Sequence, residues 1–199
     1  MYYDAVENKH GLKHDPFKAL VTPRPIGWIS TMSVDGVVNL APYSFFNAVG
    51  TDPHYVMFAS GGRKDSQRNA EETGEFVCLL ATYELKDKMK ATAAHVDPTV
   101  DEMQLAGLTP VPSTLVRPPR VKESPVAFEC RYYQTIDLPG KNGQASNFSM
   151  VLCQVLGIHI DDSVIVDGIV DISLMRPIAR LGYEDYSVVD NIFTMSRPD

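Results

Sequence analysis

Six apolar runs separated by turn-forming residues dominate the chain and predict β-strands. They span residues 26–32, 37–43, 55–60, 75–81, 126–136 and 149–160. The Asp35-Gly36 dipeptide between the first two runs favours a tight hairpin turn. The fifth run alternates between apolar and polar residues, as a strand with one buried face does, whereas the sixth is apolar on both faces. The pattern therefore predicts a sheet of antiparallel strands joined by hairpins.

Two segments have helical character. Residues 66–73 predict one or two helical turns, in which Asp65 or Ser66 caps the start and Gly74 ends the helix. A longer helix is predicted over residues 83–95, where Leu85, Met89 and Ala93 form one apolar stripe.

The remaining segments connect strands or lie at an edge. The proline-rich tract 108–125 is too rigid for a helix or a central strand, so it predicts a connection that wraps around the core. Residues 137–147 predict a hairpin loop, and residues 176–195 short pieces that end in an edge strand. We therefore expect a mainly β fold, an antiparallel barrel with peripheral helices, in a single domain over residues 1–199.

Composition narrows the classes of protein that remain. The chain has 199 residues, 44% of them hydrophobic, and a formal net charge of -7. This acidity argues against nucleic acid or an anionic membrane as the main partner. Three isolated cysteines and the lack of signal-peptide character at the start predict a cytoplasmic protein. No apolar run approaches ~18 residues, so no membrane span is expected.

A cluster of cations opposes this acidic background. The cations are Arg63, Lys64 and Arg68, which follow two glycines. At the start of the predicted helix, free N–H groups and the helix dipole favour a phosphate, and Arg63, Lys64 and the Ser66 hydroxyl add further donors. The alternative is a solvated loop whose cations balance nearby glutamates. The chain lacks GxxxxGK[ST] and GxGxxG motifs, which argues against a nucleoside triphosphatase or a Rossmann domain.

Aromatic and small polar residues lie just before this cluster. Tyr43, Phe45 and Phe46 alternate with Ser44 and Asn47 in a segment that leaves the second predicted strand. Such a set suits a planar ring with polar edges, because it combines an apolar wall with hydrogen-bonding groups. The alternative is a set of core aromatics beside turn residues. Together with the basic cluster, the segment predicts a mononucleotide site.

These residues also carry a family resemblance. Residues 22–60 and 62–77 resemble the flavin reductase-like, FMN-binding split-barrel family, which includes flavoredoxin-like proteins. Residues 115–131 and 180–190 extend the similarity over nearly the whole chain. The resemblance implies a six-stranded Greek-key split barrel and a homodimer that binds FMN near the subunit interface. One departure is His54, which follows Pro53 where the family pattern has a second proline or an apolar residue.

The resemblance further implies the residues that contact FMN. One group lies along the isoalloxazine and comprises Ser44, Phe45, Phe46 and Asn47. A second group reaches the ribityl chain and phosphate and comprises Trp28, Ser30, Thr31, Ser60, Arg63, Lys64 and Ser66.

The implied activity is that of an NAD(P)H-dependent flavin reductase, in which hydride passes from nicotinamide C4 to flavin N5. Asn47 is the expected tuning residue, since a donor near N1 and O2 stabilises negative charge that develops there. Reduced FMN would then pass to a partner oxygenase or another acceptor. Two alternatives stay open: a flavoprotein that retains FMN and acts on another small substrate, and a non-catalytic flavin- or haem-binding carrier.

No other catalytic constellation stands out. His159, beside Asp161 at the end of a predicted strand, is interpreted as a structural histidine, with a proton donor as the alternative. The absence of HExxH and GxSxG motifs argues against a metalloprotease and a hydrolase, and no metal site is expected. Cys78 and Cys130 are expected to be inert core residues.

Overall fold

The computed structural model describes residues 1–198 and is built around one antiparallel sheet. In chain order its seven strands are β2 (Gly27–Met32), β3 (Val38–Tyr43), β4 (Phe46–Thr51), β5 (His54–Gly61), β6 (Glu75–Leu80), β9 (Val126–Pro139) and β10 (Ala145–Ile160). Within the sheet they run in the order β3-β2-β6-β9-β10-β5-β4. The prediction of a mainly β protein is confirmed.

The strand count differs from the expected six. All six apolar runs form strands, and the additional strand is β4, which pairs with β5 through Phe46 opposite Phe58 and Asn47 opposite Met57. Strand β4 lies at the edge of the sheet and four of its six residues are exposed. It therefore lacks the continuous apolar pattern by which the other strands were recognised.

Side-chain packing brings the two edges of the sheet together. Strand β3 ends at Tyr43, and only Ser44 and Phe45 separate it from β4. The ring of Tyr43 lies 4.8 Å from that of Phe58 on β5. The ring of Phe46 packs directly on Gly27, where a Cβ atom would overlap it. Because the order places β3 and β4 at opposite ends of the described sheet, packing rather than a backbone ladder closes this seam.

The curled sheet separates two apolar cores. The inner core contains Ile29, Phe58 and Phe76, all nearly or fully buried. The outer core contains Trp28 and Leu79 from the opposite faces of the same strands, covered by helices and connecting loops. Strands buried on both faces explain the near-continuous apolar runs in this part of the sequence.

Helix α2 (Asp65–Thr73) packs its buried residue Ala70 into the inner core. Its cap residue at the start is Lys64, with no side-chain cap, rather than the expected Asp65 or Ser66. Its end was predicted correctly, since Gly74 adopts a left-handed conformation there.

Helix α3 (Lys86–Ala91) is shorter than the predicted helix over residues 83–95. Leu85 and Met89 are buried as expected, whereas Ala93 lies beyond the helix and is exposed. The helix ends at Thr92, whose hydroxyl donates to the carbonyl of Met89 and accepts from the indole of Trp28. A tertiary contact therefore fixes an end that helical periodicity alone could not locate.

The other elements are short and peripheral. They are α1 (Phe17–Leu20), α4 (Glu102–Leu105), α5 (Ile172–Met175), the 3-10 helices Lys141–Gly143 and Asp162–Val164, and strands β1 (Arg24–Pro25), β7 (Pro110–Val111), β8 (Arg120–Val121), β11 (Ile165–Val166), β12 (Ile169–Val170), β13 (Ile178–Arg180) and β14 (Tyr186–Val188). The proline-rich tract wraps the barrel as predicted, with β7 and β8 paired within it. The expected C-terminal pieces include β13 and β14, which form a small sheet with β1.

The hairpin between β9 and β10 is longer than predicted, because both strands continue into residues 137–147. Its outer part carries the exposed apolar residues Tyr133, Ile136, Leu138 and Phe148. Among the helices of residues 1–198, none combines the length and apolar character needed to cross a membrane.

Candidate functional site

A cleft of about 360 Å³ lies where the end of β3 meets the start of helix α2. One wall comes from the strand end and the connection after it, including Tyr43, Ser44 and Phe45. The opposite side is formed by Lys64 and Ser66. The segment after α3 and the buried Glu102 complete the lining. This volume lies within the range of small-molecule sites, and the cleft combines an aromatic wall with a polar floor.

The start of α2 gives the cleft an anion-binding end. No side chain caps this helix, so the first backbone N–H groups have no intrahelical or capping partner. Gly62 adopts a left-handed φ of 83° in the preceding turn. The Ser60 hydroxyl donates to the Gly62 carbonyl at 2.7 Å and holds this turn. With Lys64 beside the free N–H groups, the geometry suits a phosphate.

A buried polar network supports the floor of the cleft. The Asn39 amide donates to the hydroxyl of Ser66 at 2.9 Å and to that of Thr31 at 3.2 Å. Thr31 also accepts from the Asn69 amide at 3.1 Å. Strands β2 and β3 are thereby fixed to the first turns of α2. Since buried hydrogen-bonded groups are costly to displace, the network holds Ser66 in place at the helix start.

Tyr43 and Glu102 are two further buried residues that line the cleft, and the pKa of each is raised. Burial raises the pKa of the Tyr43 phenol, although the hydroxyls of Ser66 and Ser60 beside it act in the opposite direction. Burial likewise raises the pKa of Glu102, despite the hydrogen bond that its carboxylate accepts from the Leu40 N–H at 3.0 Å. In both groups burial disfavours the ionised form.

The cleft brings together four of the residues predicted from the sequence: Ser44, Phe45, Lys64 and Ser66. Thr31 and Ser60 lie behind this surface, in the hydrogen bonds described above.

The other five predicted residues are not among the lining residues of the cleft. Trp28 is fully buried in the outer core, and the Ser30 hydroxyl donates to the carbonyl of Pro119. Phe46 packs at the seam of the barrel. Asn47 is exposed on edge strand β4, where its side-chain oxygen accepts from the Ala48 N–H. Arg63 forms ion pairs with Glu71 at 2.7 Å and Glu72 at 3.6 Å.

Sequence reasoning missed several residues that line the cleft, among them the polar residues Asn39, His95 and Glu102. Asn39 could have been found, because it alternates with Ala41 and Tyr43 on one face of its strand. His95 and Glu102 come from the segment that follows α3. Only the packing of this segment against β3 places them here, so no local pattern marks them.

Three cysteines and one histidine with potentially reactive side chains lie outside the cleft. Burial raises the pKa values of the Cys78, Cys130 and Cys153 thiols, which disfavours the reactive thiolate. His159 contacts the carboxylate of the fully buried Glu129 rather than the neighbouring Asp161. Among residues 1–198, no group of three or more His, Cys, Asp and Glu side chains is placed to hold a metal ion.

The chain thus folds as a curled antiparallel sheet with an aromatic-walled cleft at the start of helix α2. A family model described as "Flavin reductase like domain" matches residues 20–170. The chain therefore belongs to the flavin reductase-like family, and the resemblance noted in its sequence is confirmed.

Individual relatives agree with this assignment. An uncharacterised Aquifex aeolicus protein is 38% identical over 173 residues, which cover 84% of this chain and 85% of the relative. Nitrilotriacetate monooxygenase component B from Bacillus cereus superposes with a TM-score of 0.87 at 29% identity, covering 98% of both chains. The 2-nitrobenzoate 2-nitroreductase NbaA of Pseudomonas fluorescens gives a TM-score of 0.86 at 26% identity, covering 100% of this chain and 96% of NbaA.

Proposed function

We propose that this protein binds FMN in the cleft and catalyses its reduction by NAD(P)H. The observation that carries the proposal is the junction of the uncapped start of α2, with Lys64, and the wall around Phe45. A phosphate and a flat tricyclic ring are the two ends of FMN, and the cleft offers one surface suited to each. Membership of the flavin reductase-like family supports the same ligand.

The chain's own residues have distinct roles in this proposal. Lys64 and the first N–H groups of α2 bind the phosphate, and the Ser66 hydroxyl is held toward it by Asn39. Phe45 and Ser44 form the surface for the ring. FMN would supply the redox chemistry when bound, with the nicotinamide as hydride donor, so the protein needs to orient and stabilise rather than to transfer a proton. On the family resemblance, Asn47 stays our candidate for the donor near N1 and O2 of the ring, although its side chain lies on edge strand β4 and not in the cleft lining.

Replacement of Lys64 by alanine is expected to weaken FMN binding by about 1.5–3 kcal/mol, because it removes a charge-assisted hydrogen bond. Arg63→Ala is the matched control, since it removes the adjacent cation, whose ion pairs are with Glu71 and Glu72. Quenching of FMN fluorescence during titration measures both affinities. If Arg63→Ala weakened binding as much as Lys64→Ala, the phosphate position proposed here would be wrong.

Steady-state kinetics test the activity itself. We expect NADH or NADPH oxidation to depend on added FMN and to saturate, as for a substrate that leaves after reduction. The second candidate function is a flavoprotein that retains FMN and reduces another small molecule; its support is the similarity to the nitroreductase NbaA. Stoichiometric FMN that survives gel filtration, with turnover only when a nitroaromatic acceptor is added, would favour this candidate. Absence of any nicotinamide oxidation would reject both.

We further propose a homodimer and a partner oxygenase. The exposed apolar residues on the outer part of the β9–β10 hairpin offer a surface that a second copy could cover. The similarity to a monooxygenase component B supports an oxygenase as the acceptor of reduced FMN.

A cytoplasmic location is proposed because all three cysteines are free and buried.

A further inference from the structure

A second cavity, of about 520 Å³, lies between helix α3 and strands β13 and β14. Its rim and walls include Tyr83, Lys86, Lys90, Arg180 and Tyr186. Ala93, just beyond the end of α3, lines both this cavity and the FMN cleft. The two cavities are therefore neighbours, separated by the end of one helix.

The charges around the second cavity oppose those of the whole chain. Three cations line it, Lys86, Lys90 and Arg180, against two acids, Asp87 and Glu184, in a chain of net charge -7. Within the described part of the chain, Lys90 forms no ion pair. Arg180 likewise bonds to no carboxylate there; it donates to the Tyr186 hydroxyl and the Tyr183 carbonyl. Cations without acidic partners at a cavity rim favour an anionic ligand.

The cavity also offers apolar and aromatic surface. Met89 and Ile178 line it and are 2% and 5% exposed. The Arg180 guanidinium lies 4.5 Å from the centroid of the Tyr186 ring, and both groups are partly exposed. A stacked arginine and tyrosine beside aliphatic side chains suit a planar heteroaromatic ring. The cavity thus combines a surface for a purine with cations for its phosphates.

We propose that this cavity binds the phosphorylated adenosine half of the nicotinamide dinucleotide and makes NADPH the preferred donor over NADH. The inference rests on the proposed function, because the nicotinamide half must reach the adjoining cleft. The two dinucleotides differ by the 2′-phosphate of the adenosine, which an arginine commonly accommodates. Lys90 and Arg180 are the residues that discriminate between them.

Isothermal titration calorimetry with adenosine 2′,5′-bisphosphate tests the cavity without FMN or turnover. We expect this probe to bind at least about tenfold more tightly than 5′-AMP, since one charge-assisted contact accounts for a factor of this order. Lys90→Gln and Arg180→Gln should each weaken it about tenfold, which brings it close to 5′-AMP. Lys88→Gln is the matched control, because Lys88 is on the same helix but bonds to the carbonyl of Gly107 instead of lining the cavity.

Several outcomes would overturn the proposal: no binding of the bisphosphate, equal binding of 5′-AMP, or equal effects of Lys88→Gln and Lys90→Gln. Displacement of FMN by the bisphosphate would also overturn it, because the probe would then occupy the cleft. Lys90 is exposed, so its variant is expected to fold even if Arg180→Gln does not. Failure of the wild-type protein to bind FMN would reject the proposed function instead, while the calorimetry would still decide whether the cavity binds a phosphorylated adenosine.

Discussion

Replacement of Trp28 by alanine is expected to lower the free energy of unfolding by about 3–5 kcal/mol, a cost characteristic of large aromatic residues in a core. The side chain is fully buried in the outer core. Its indole N–H donates to the Thr92 hydroxyl at 2.9 Å. Urea unfolding followed by circular dichroism measures the change. Since a single domain is stable by only about 5–15 kcal/mol, the loss would be a large share of the total.

Trp28→Phe is the control, because it keeps much of the packing and removes the hydrogen bond at a cost of about 1 kcal/mol. The same pair of variants separates two roles for this residue. The family resemblance places Trp28 among the FMN contacts, whereas the structure buries it beneath α3. If Trp28→Ala weakened FMN binding without changing the unfolding energy, Trp28 would be a ligand contact rather than a core residue.

The second large effect is expected at Glu129, where substitution by leucine should cost about 3–5 kcal/mol, as does breaking a buried charged pair. The carboxylate is fully buried on β9. It accepts from the N–H groups of Thr114 at 2.8 Å and Leu115 at 2.5 Å, and it contacts His159. Leucine would leave these donors without an acceptor. Glu129→Gln, which keeps one acceptor oxygen, should cost less.

Glu129 also predicts how stability depends on pH. Burial raises the pKa of this carboxyl group, but hydrogen bonds from Thr114, His159 and Leu115 outweigh it, so the pKa is lowered in the folded protein. The ionised group therefore stabilises the fold fully above its unfolded pKa of about 4.3, and this contribution is lost as the pH falls through the folded pKa. Urea unfolding from pH 7 to pH 3 should show a shallower acid loss in Glu129→Leu than in wild type. Parallel curves would contradict this assignment.

Much of the fold could be predicted because its signals are local. The Asp35-Gly36 turn, the apolar runs and Gly74 at the end of α2 each leave a mark within a few residues. Strand β4 was missed because it is an exposed edge strand. Its position depends instead on the packing of Phe46 against Gly27. These two residues are too far apart in the sequence for a periodic pattern to reveal their contact.

The candidate site was predictable to a similar extent. Lys64 and Ser66 were found because a glycine turn before a helix is a recognisable anion-binding pattern. Arg63 belongs to the same pattern, yet its partners in the structure are Glu71 and Glu72. The contact between Glu129 and His159 joins residues 30 positions apart, and the sequence did not indicate this partner for the histidine. Alternation shows which face a residue occupies but does not identify its neighbour in the adjacent strand.

The contact between Trp28 and Thr92 has a consequence for how the two cavities could work together. Thr92 is the cap residue of α3 and lines the first cleft, while Met89 and Lys90, two to three residues earlier, line the second cavity. Anchored to the barrel by the indole, this end of α3 forms a rigid partition. Two ligands bound on either side of it would be held at a constant distance. A single molecule that occupies both cavities would therefore need a matching length, which would exclude shorter molecules.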